Sequence, residues 1–212
     1  MKLWDVGLFS TLRKAGLIKL ITRVQNSDPV GRVSDVLTKV VRPGDVVWDV
    51  GAGDGTFSEL FCELVGSEGY VFAFEPRGAL RERIRERVPN CGWLRVERIT
   101  LGVFDAPNLL VANGGTESDS HEVCRGDTMC ERLGQIPNVL KVAVQGFEEE
   151  VLAGMGTKLA SLSLREVMIE VNFPVVPRMG GGMAPRRMEG LLGAMGFKTK
   201  WVDESHLFAT RS

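Results

Sequence analysis

The stretch VVWDVGAGDGTFSELF, residues 46–61, constrains the fold of this chain more than any other. It opens with an apolar run, which is typical of a strand buried on both faces of a parallel sheet. Three glycines at alternate positions follow at once, and a helical pattern of apolar residues resumes at Phe57. Glycines at such a junction let the backbone turn sharply and let a ligand approach the main chain closely. The stretch therefore predicts a strand, a ligand-binding turn and a helix.

The residues around this turn indicate what kind of ligand it holds. Gly51, Gly53 and Gly55 do not have the Gly-x-Gly-x-x-Gly spacing of a dinucleotide site, and Asp49 would repel a pyrophosphate. A second carboxylate, Glu75, closes the next apolar run. In nucleotide-binding sheets a carboxylate at the end of the second strand accepts both ribose hydroxyls. A plain glycine turn with a solvated strand-end Glu is the alternative interpretation.

In order and spacing these residues resemble the S-adenosylmethionine site of class I methyltransferases. There the turn accommodates the amino-acid end of the cofactor, which carries an ammonium and no phosphate, so an acidic neighbour is favourable. The resemblance implies that S-adenosylmethionine is the cofactor and that the turn and the second strand end supply its binding residues. These are Asp49, Gly51, Ala52, Gly53, Asp54, Thr56, Phe57, Glu75 and Pro76.

The remaining chain alternates strand and helix patterns. Strands are expected at residues 70–74, 93–101, 138–144 and 166–173, helices at 30–41, 79–88, 127–134 and 188–195, and a closing antiparallel pair at 197–202 and 206–210. The alternation predicts an α/β domain, and the resemblance implies a Rossmann-like class I methyltransferase fold, with a mostly parallel seven-stranded sheet, an antiparallel closing strand and helices on both faces. Residues 31–212 would form this single domain, and residues 1–30 an N-terminal helical cap.

Two segments of the chain have alternative interpretations. Residues 1–24 alternate apolar and basic side chains, which predicts amphipathic helices that cap the sheet or the cofactor. A membrane-surface helix or a homodimer contact is the other reading of this segment. Residues 174–185 are rich in Gly and Pro, and with Arg178, Arg186 and Arg187 they suggest a mobile lid for an anionic acceptor. A disordered crossover fits that segment equally well.

The overall composition limits which partners the chain is expected to bind and in which compartment it is expected to work. Lys and Arg number 26 against 27 Asp and Glu, so the chain has no global attraction to nucleic acid. The arginines at positions 81, 83, 85 and 87 alternate around a helix, as on a solvated face. Four irregularly spaced cysteines show no disulfide or zinc pattern, and no apolar stretch is long enough to span a bilayer. We therefore expect a cytoplasmic protein with no nucleic-acid partner and no resident metal.

The stretch LKVAVQGFEEEVLAGM, residues 140–155, narrows the family. A strand, a glycine turn and a helix again place polar groups at the carboxyl edge of the sheet, where open α/β sheets bind ligands. Together with VWDVGAGDGTFS, FAFEP and the pair Ile169 and Glu170, this stretch resembles the FkbM family of S-adenosylmethionine-dependent methyltransferases. The resemblance covers roughly residues 40–171, and four motifs occur in the family's order.

The chain departs from that family's Lys-x-Asp-x-Glu-Gly-x-Glu motif at two positions. Lys141, Gly146 and Glu148 match, whereas Ala143 and Gln145 replace two carboxylates. These replacements have two explanations. One is a subfamily with different substrate chemistry, and the other is a scaffold protein that binds the cofactor but has lost catalysis.

The catalytic candidates are few. The resemblance implies that Glu148 and Glu170 are candidate general bases, and His121 joins them on chemistry alone. Lys141 is expected to hold a carboxylate or to orient the acceptor. Glu148 could instead stabilise a helix N-terminus with its negative charge, and His121 could be a solvated loop residue.

The resemblance implies methyl transfer, and O-methylation of a hydroxyl on a small molecule or a saccharide fits best. A nucleic-acid methyltransferase would need a coherent basic surface. A scaffold protein would bind the cofactor without turnover. A nicotinamide-dependent oxidoreductase is disfavoured by the glycine spacing.

Overall fold

A computed structural model describes residues 29–109, 121–172 and 184–211 of the chain. The helices expected in residues 1–24, the homodimer contact expected of them, and most of the predicted lid, including Arg178, lie outside these ranges. Within them no helix is long and apolar enough to cross a membrane.

Helices and strands alternate along the described chain much as the sequence pattern predicts. The helices are α1 (Pro29–Val40), α2 (Thr56–Val65), α3 (Gly78–Arg87), α4 (Gly126–Leu133), α5 (Glu148–Gly154) and α6 (Ala184–Ala194), with a 3₁₀ helix at Gly156–Ala160. The strands are β1 (Val46–Val50), β2 (Tyr70–Phe74), β3 (Leu94–Glu97), β4 (Ile99–Gly102), β5 (Ala106–Leu109), β6 (His121–Arg125), β7 (Val139–Val142), β8 (Glu166–Glu170), β9 (Lys198–Trp201) and β10 (His206–Thr210).

Seven strands form the central sheet in the order β3-β2-β1-β7-β8-β10-β9. Neighbouring strands from β3 to β8 are parallel, and β10 is antiparallel to both β8 and β9. One face packs Trp48 and Val50 against α4, α5 and α6. The opposite face packs Val47 and Val71 against α1 and α2. The predicted fold class is confirmed, including the antiparallel closing strand and the helices on both faces.

The single strand predicted at residues 93–101 is wrong, because the chain breaks at Arg98 into β3 and β4. Strand β4 joins a separate three-stranded sheet in the order β4-β6-β5. Ile99 and Leu101 are buried in the core beside α4 and α5. A Cβ added to Gly154 of α5 would lie 1.9 Å from the carbonyl oxygen of Gly102, so the strand and the helix leave no room for a side chain at this glycine. This tertiary packing draws the chain away from β2.

His121 also lies elsewhere than predicted. It is the first residue of β6 in the smaller sheet and is only 7% exposed, so it is not a solvated loop residue.

Several of the predicted site residues lie at one edge of the central sheet, because the parallel strands end together there. In the register of the sheet, Asp49 of β1 lies opposite Lys141 of β7. Strand β10 runs the other way and therefore begins at the same edge, where His206 lies opposite Glu170. In open α/β folds this carboxyl edge is the ligand-binding edge.

Candidate functional site

The glycine turn after β1 packs tightly on one side and borders open space on the other. Gly51 has a φ of 75°, and its N–H donates to the carbonyl oxygen of Phe74 at 3.0 Å. A Cβ added to Gly51 would lie 2.1 Å from the carbonyl oxygen of Ala143. Gly53 has a φ of 59°, but an added Cβ would meet nothing within 4 Å. The turn thus leans against β7 at Gly51 and leaves room for a ligand at Gly53.

Comparison of two glycine substitutions tests this geometry. We expect Gly51→Ala to lower the free energy of unfolding by about 3 kcal/mol, because left-handed strain adds to a backbone clash. Gly53→Ala, the matched control, should lower it by about 1 kcal/mol through strain alone. Urea-induced unfolding measures both, and equal losses would contradict the close approach of Gly51 to β7.

Glu75 lies at the end of β2, and its carboxylate is tied to the turn. Its side chain is 1% exposed, and Oε2 accepts the Gly53 N–H at 3.0 Å. Arg77, which the sequence analysis did not single out, donates to Oε1 from its backbone N–H at 3.0 Å and from Nε at 2.9 Å. The Arg77 side chain is 68% exposed, whereas the Glu75 carboxylate is buried. The carboxylate is therefore placed beside the open side of the turn.

A buried ion pair supports the turn next to β7. Asp49 is fully buried, accepts the Ser58 hydroxyl at 2.7 Å, and lies 2.9 Å from the Lys141 ammonium. That ammonium donates to the Gly51 carbonyl oxygen at 3.2 Å and lies 5.2 Å from the centroid of the Phe57 ring. Lys141 thus holds a carboxylate, which is one of its two expected roles. Ser58 donates to Oδ2 of Asp49, whereas the buried Oδ1 accepts no hydrogen bond and is balanced by the charge of Lys141 alone.

The remaining residues predicted for the cofactor shape the two ends of the turn. Asp54 accepts the backbone N–H of Thr56 at 3.2 Å and its hydroxyl at 2.8 Å, and pairs with Arg87 at 2.8 Å. Burial raises the pKa of Asp54, but these partners outweigh it and hold the pKa below its ordinary value. The Ala52 N–H donates to the Phe74 carbonyl, and the Pro76 carbonyl accepts a hydrogen bond from Arg81. Asp54 therefore organises the start of α2.

Glu148 anchors the turn after β7. Its carboxylate is 2% exposed and accepts the Gly146 N–H, with Oε1 at 2.9 Å and Oε2 at 3.1 Å. Burial raises the pKa of Glu148, although backbone N–H donors partly lower it. Gln145, just before this glycine, is the one non-glycine residue with positive φ in the described ranges, at 59°. This arrangement favours a structural role for Glu148 over proton transfer.

The raised pKa of Glu148 predicts how its effect on stability depends on pH. A carboxyl whose folded pKa is raised contributes stability below its unfolded pKa of about 4.5, and this stability is lost as the pH rises. The difference in free energy of unfolding between Glu148→Gln and the wild type should therefore shift in favour of the variant as the pH rises from about 5.0 to about 7.5. Urea unfolding at both values measures the difference, and a constant difference would contradict it.

Polar residues that were not predicted lie at the carboxyl end of β8 and at the start of β10. Asn172, just beyond β8, donates from its side-chain amide to the side-chain oxygen of Gln145. His206 lies opposite Glu170 and contacts Asp203. The contact of Asn172 with Gln145 and the pairing of His206 with Glu170 depend on the strand order, so no local pattern reveals them, whereas Asp203 and His206 are only three residues apart. Of the four predicted catalytic residues, the central sheet and its connections bring together Lys141, Glu148 and Glu170, whereas His121 lies in the smaller sheet.

Comparison with known proteins identifies one relative over most of the chain. The hexuronic acid methyltransferase AglP of Haloferax volcanii is 31% identical over an alignment 181 residues long, and the alignment covers 73% of this chain and 71% of that protein. The protein-L-isoaspartate O-methyltransferase of Ignicoccus hospitalis is 43% identical over 56 residues, about a quarter of each chain. No family model matches.

Solved structures share the fold at low sequence identity. An rRNA methylase from Streptococcus thermophilus matches with a TM-score of 0.56 and 11% identity over 87% of this chain and 96% of that chain. Aeropyrum pernix fibrillarin, solved with bound S-adenosylmethionine, matches with a TM-score of 0.53 and 13% identity over 84% of this chain and 72% of that chain. By its similarity to AglP and by its fold, the chain belongs to the S-adenosylmethionine-dependent methyltransferases of the Rossmann-like type.

Proposed function

We propose that this methyltransferase transfers the methyl group to a hydroxyl oxygen of an acidic saccharide, within an FkbM-type branch of the family. The observation that carries the proposal is the 31% identity to a hexuronic acid methyltransferase over 73% of the chain. The order of the four sequence motifs supports the FkbM-type assignment.

The residues around the glycine turn fit the cofactor. Gly53 borders open space, and the buried carboxylate of Glu75 lies beside it. We assign the ribose hydroxyls to Glu75, in place of the exposed Arg77, and the amino-acid end of the cofactor to the turn at Gly51, Ala52 and Gly53. When bound, the cofactor supplies a methyl group on a positively charged sulfur, so positioning accounts for much of the rate. The pair of Asp49 and Lys141 holds the turn in place for this task.

The acceptor is assigned to the ends of β7 and β8. Ala143 and Gln145 leave a methyl group and an amide where the FkbM motif has carboxylates, and the Asn172 amide donates to the side-chain oxygen of Gln145. Primary amides donate and accept hydrogen bonds, which suits the hydroxyl groups of a saccharide. The left-handed backbone of Gln145 is strained, and such strain clusters at functional sites.

Two arginines at the start of α6 suit an acidic acceptor. Both arginines are exposed, and Arg187 is bound to Glu149 at the start of α5 through two contacts of 2.7 Å. Helix α5 starts just after β7 ends, so this ion pair lies near the carboxyl edge. We assign Arg186 as the candidate partner of the acceptor's carboxylate.

A nucleic-acid acceptor has less support. Arg87 of α3 pairs with Asp54, Arg85 pairs with Glu82, and Arg81 binds backbone carbonyl oxygens. These arginines serve the fold and do not form a coherent basic surface.

Titration calorimetry and a transfer assay test the proposal. S-adenosylmethionine and S-adenosylhomocysteine should bind with micromolar affinity, and NADH should not bind. Radiolabelled methyl transfer should then occur to glucuronic acid or galacturonic acid, and not to RNA, with glucose as the neutral control. Transfer to glucose at an equal rate would contradict the acidic acceptor. Cofactor binding without transfer to any saccharide would favour the scaffold interpretation.

A further inference from the structure

The hairpin between β9 and β10 holds a histidine and an aspartate in direct contact. The ring nitrogen Nδ1 of His206 lies 2.9 Å from Oδ1 and 3.0 Å from Oδ2 of Asp203. Asp203 Oδ1 also accepts the backbone N–H groups of Ser205 at 2.8 Å and His206 at 2.9 Å. The side chains of His206 and Asp203 are 9% and 3% exposed. The imidazole is thus held in one orientation.

This pair lies at the ligand-binding edge of the sheet. His206 is the first residue of β10 and lies directly opposite Glu170, the last residue of β8. Directly opposed side chains in an antiparallel pair lie on the same face, about 5 Å apart at Cβ. The Val171 N–H donates to the Ser205 carbonyl oxygen at 2.7 Å, which ties the hairpin to the end of β8. Two strand spacings, about 10 Å, separate β10 from β7.

The contacts of Nδ1 determine which nitrogen is available for chemistry. Burial opposes ionisation of Asp203, but its hydrogen bonds from Ser205 and His206 outweigh burial and lower its pKa, so it is a carboxylate at neutral pH. Nδ1 also lies 3.1 Å from the Ser205 hydroxyl oxygen, whose own proton is donated to Asp203 Oδ1 at 3.2 Å. Both neighbours of Nδ1 can therefore accept its proton, which favours the tautomer with the proton on Nδ1. Nε2 takes no part in the hairpin contacts and then carries the free lone pair. Carboxylate and imidazole are arranged as in a general-base pair.

We infer that Nε2 of His206 is the general base that accepts the proton of the acceptor hydroxyl, and that Asp203 is its positioning residue. The inference rests on the proposed hydroxyl acceptor. The acceptor oxygen bonds to the methyl carbon, the carbon–sulfur bond breaks with its electron pair left on sulfur, and the hydroxyl proton passes to Nε2. The imidazolium then loses this proton to water. A carboxylate acceptor would have no proton to remove and no need of this base.

The other titratable groups at this edge are less suited to the role. Glu148 is buried against Gly146, and Lys141 is paired with Asp49. Besides Asp203, three charged side chains lie near His206 along the chain or in the sheet register. Glu170 lies opposite it on β8, and Glu204 is exposed in the hairpin. Lys200 of β9 lies over Phe208, 5.4 Å from the ring centroid. Glu170 can assist by stabilising the imidazolium.

Kinetics with glucuronic acid form the first test. We expect His206→Gln to lower kcat by about 100- to 10,000-fold with unchanged affinity for S-adenosylmethionine. Glu204→Gln, an exposed change in the same hairpin, is the matched control and should keep wild-type rates. Wild-type turnover of a folded His206→Gln variant would overturn the inference.

Nitrogen NMR of the histidine rings gives a second test that needs neither cofactor nor acceptor. The chain has two histidines, so the signal lost in His206→Gln belongs to His206; if that variant does not fold, His121→Gln assigns it by elimination. We expect the proton on Nδ1 in the wild type and a shift towards Nε2 in Asp203→Asn. A proton on Nε2 in the wild type would overturn the inference, whatever the kinetics. If the wild type carries the proton on Nδ1 but does not methylate glucuronic acid, only the proposed acceptor is contradicted.

Discussion

Glu75→Ala should weaken the binding of S-adenosylmethionine by about 100-fold. Two hydrogen bonds from ribose hydroxyls to a buried carboxylate are together worth about 3 kcal/mol, which corresponds to about two orders of magnitude in Kd. The change also removes the acceptor of the Gly53 N–H, so the turn itself loses a support. Titration calorimetry measures the affinity, and circular dichroism verifies that the variant is folded.

Arg77→Ala is the matched control for this prediction. It removes the guanidinium that now covers the Glu75 carboxylate but leaves the contact with Gly53 in place. Its affinity should equal or exceed that of the wild type, because the ribose hydroxyls no longer compete with Arg77. Wild-type affinity in Glu75→Ala would remove Glu75 from the site. Equal losses in both variants would show that the ion pair, rather than the carboxylate alone, binds the cofactor.

The elements around the cofactor turn could be predicted from sequence because their signals are local. The apolar run of β1, the glycines and the apolar face of α2 are contiguous, and Gly51 has the positive φ that a glycine at such a turn predicts. The carboxylate of Glu75 could be placed from its position at the end of the next strand. Parallel strands then bring both groups to one edge, so two short segments were sufficient to predict that the glycine turn and Glu75 lie side by side.

The acceptor end could not be predicted in the same way. The contact between His206 and Glu170 joins residues far apart in sequence and exists only because β10 is antiparallel to β8. The break at Arg98 interrupts one continuous strand pattern, because packing against α5 outweighs local propensity. Gln145 has a left-handed backbone that its residue type does not favour, and the following turn holds it there. Tertiary contacts decide each of these features.

Lys141→Met should lower the free energy of unfolding by about 3–5 kcal/mol, the usual cost of leaving one member of a buried ion pair alone. Asp49 is fully buried, the Lys141 side chain is 6% exposed, and their charged atoms are 2.9 Å apart. Lys158→Met is the control, because its pair with Glu131 spans 3.9 Å and lies at the surface. That change should cost less than about 1 kcal/mol. Urea unfolding compares the two variants.

The double variant Asp49→Asn, Lys141→Met separates the two roles of this lysine. Removing both charges abolishes the uncompensated buried carboxylate, so most of the lost stability should return. The hydrogen bond from Lys141 to the Gly51 carbonyl oxygen stays lost, so the turn should still bind S-adenosylmethionine more weakly than in the wild type. If both stability and affinity recover, the attraction within the ion pair only offsets the cost of burying its charges, and the pair does not position the turn. Recovery of stability alone would show that Lys141 couples β7 to the cofactor site.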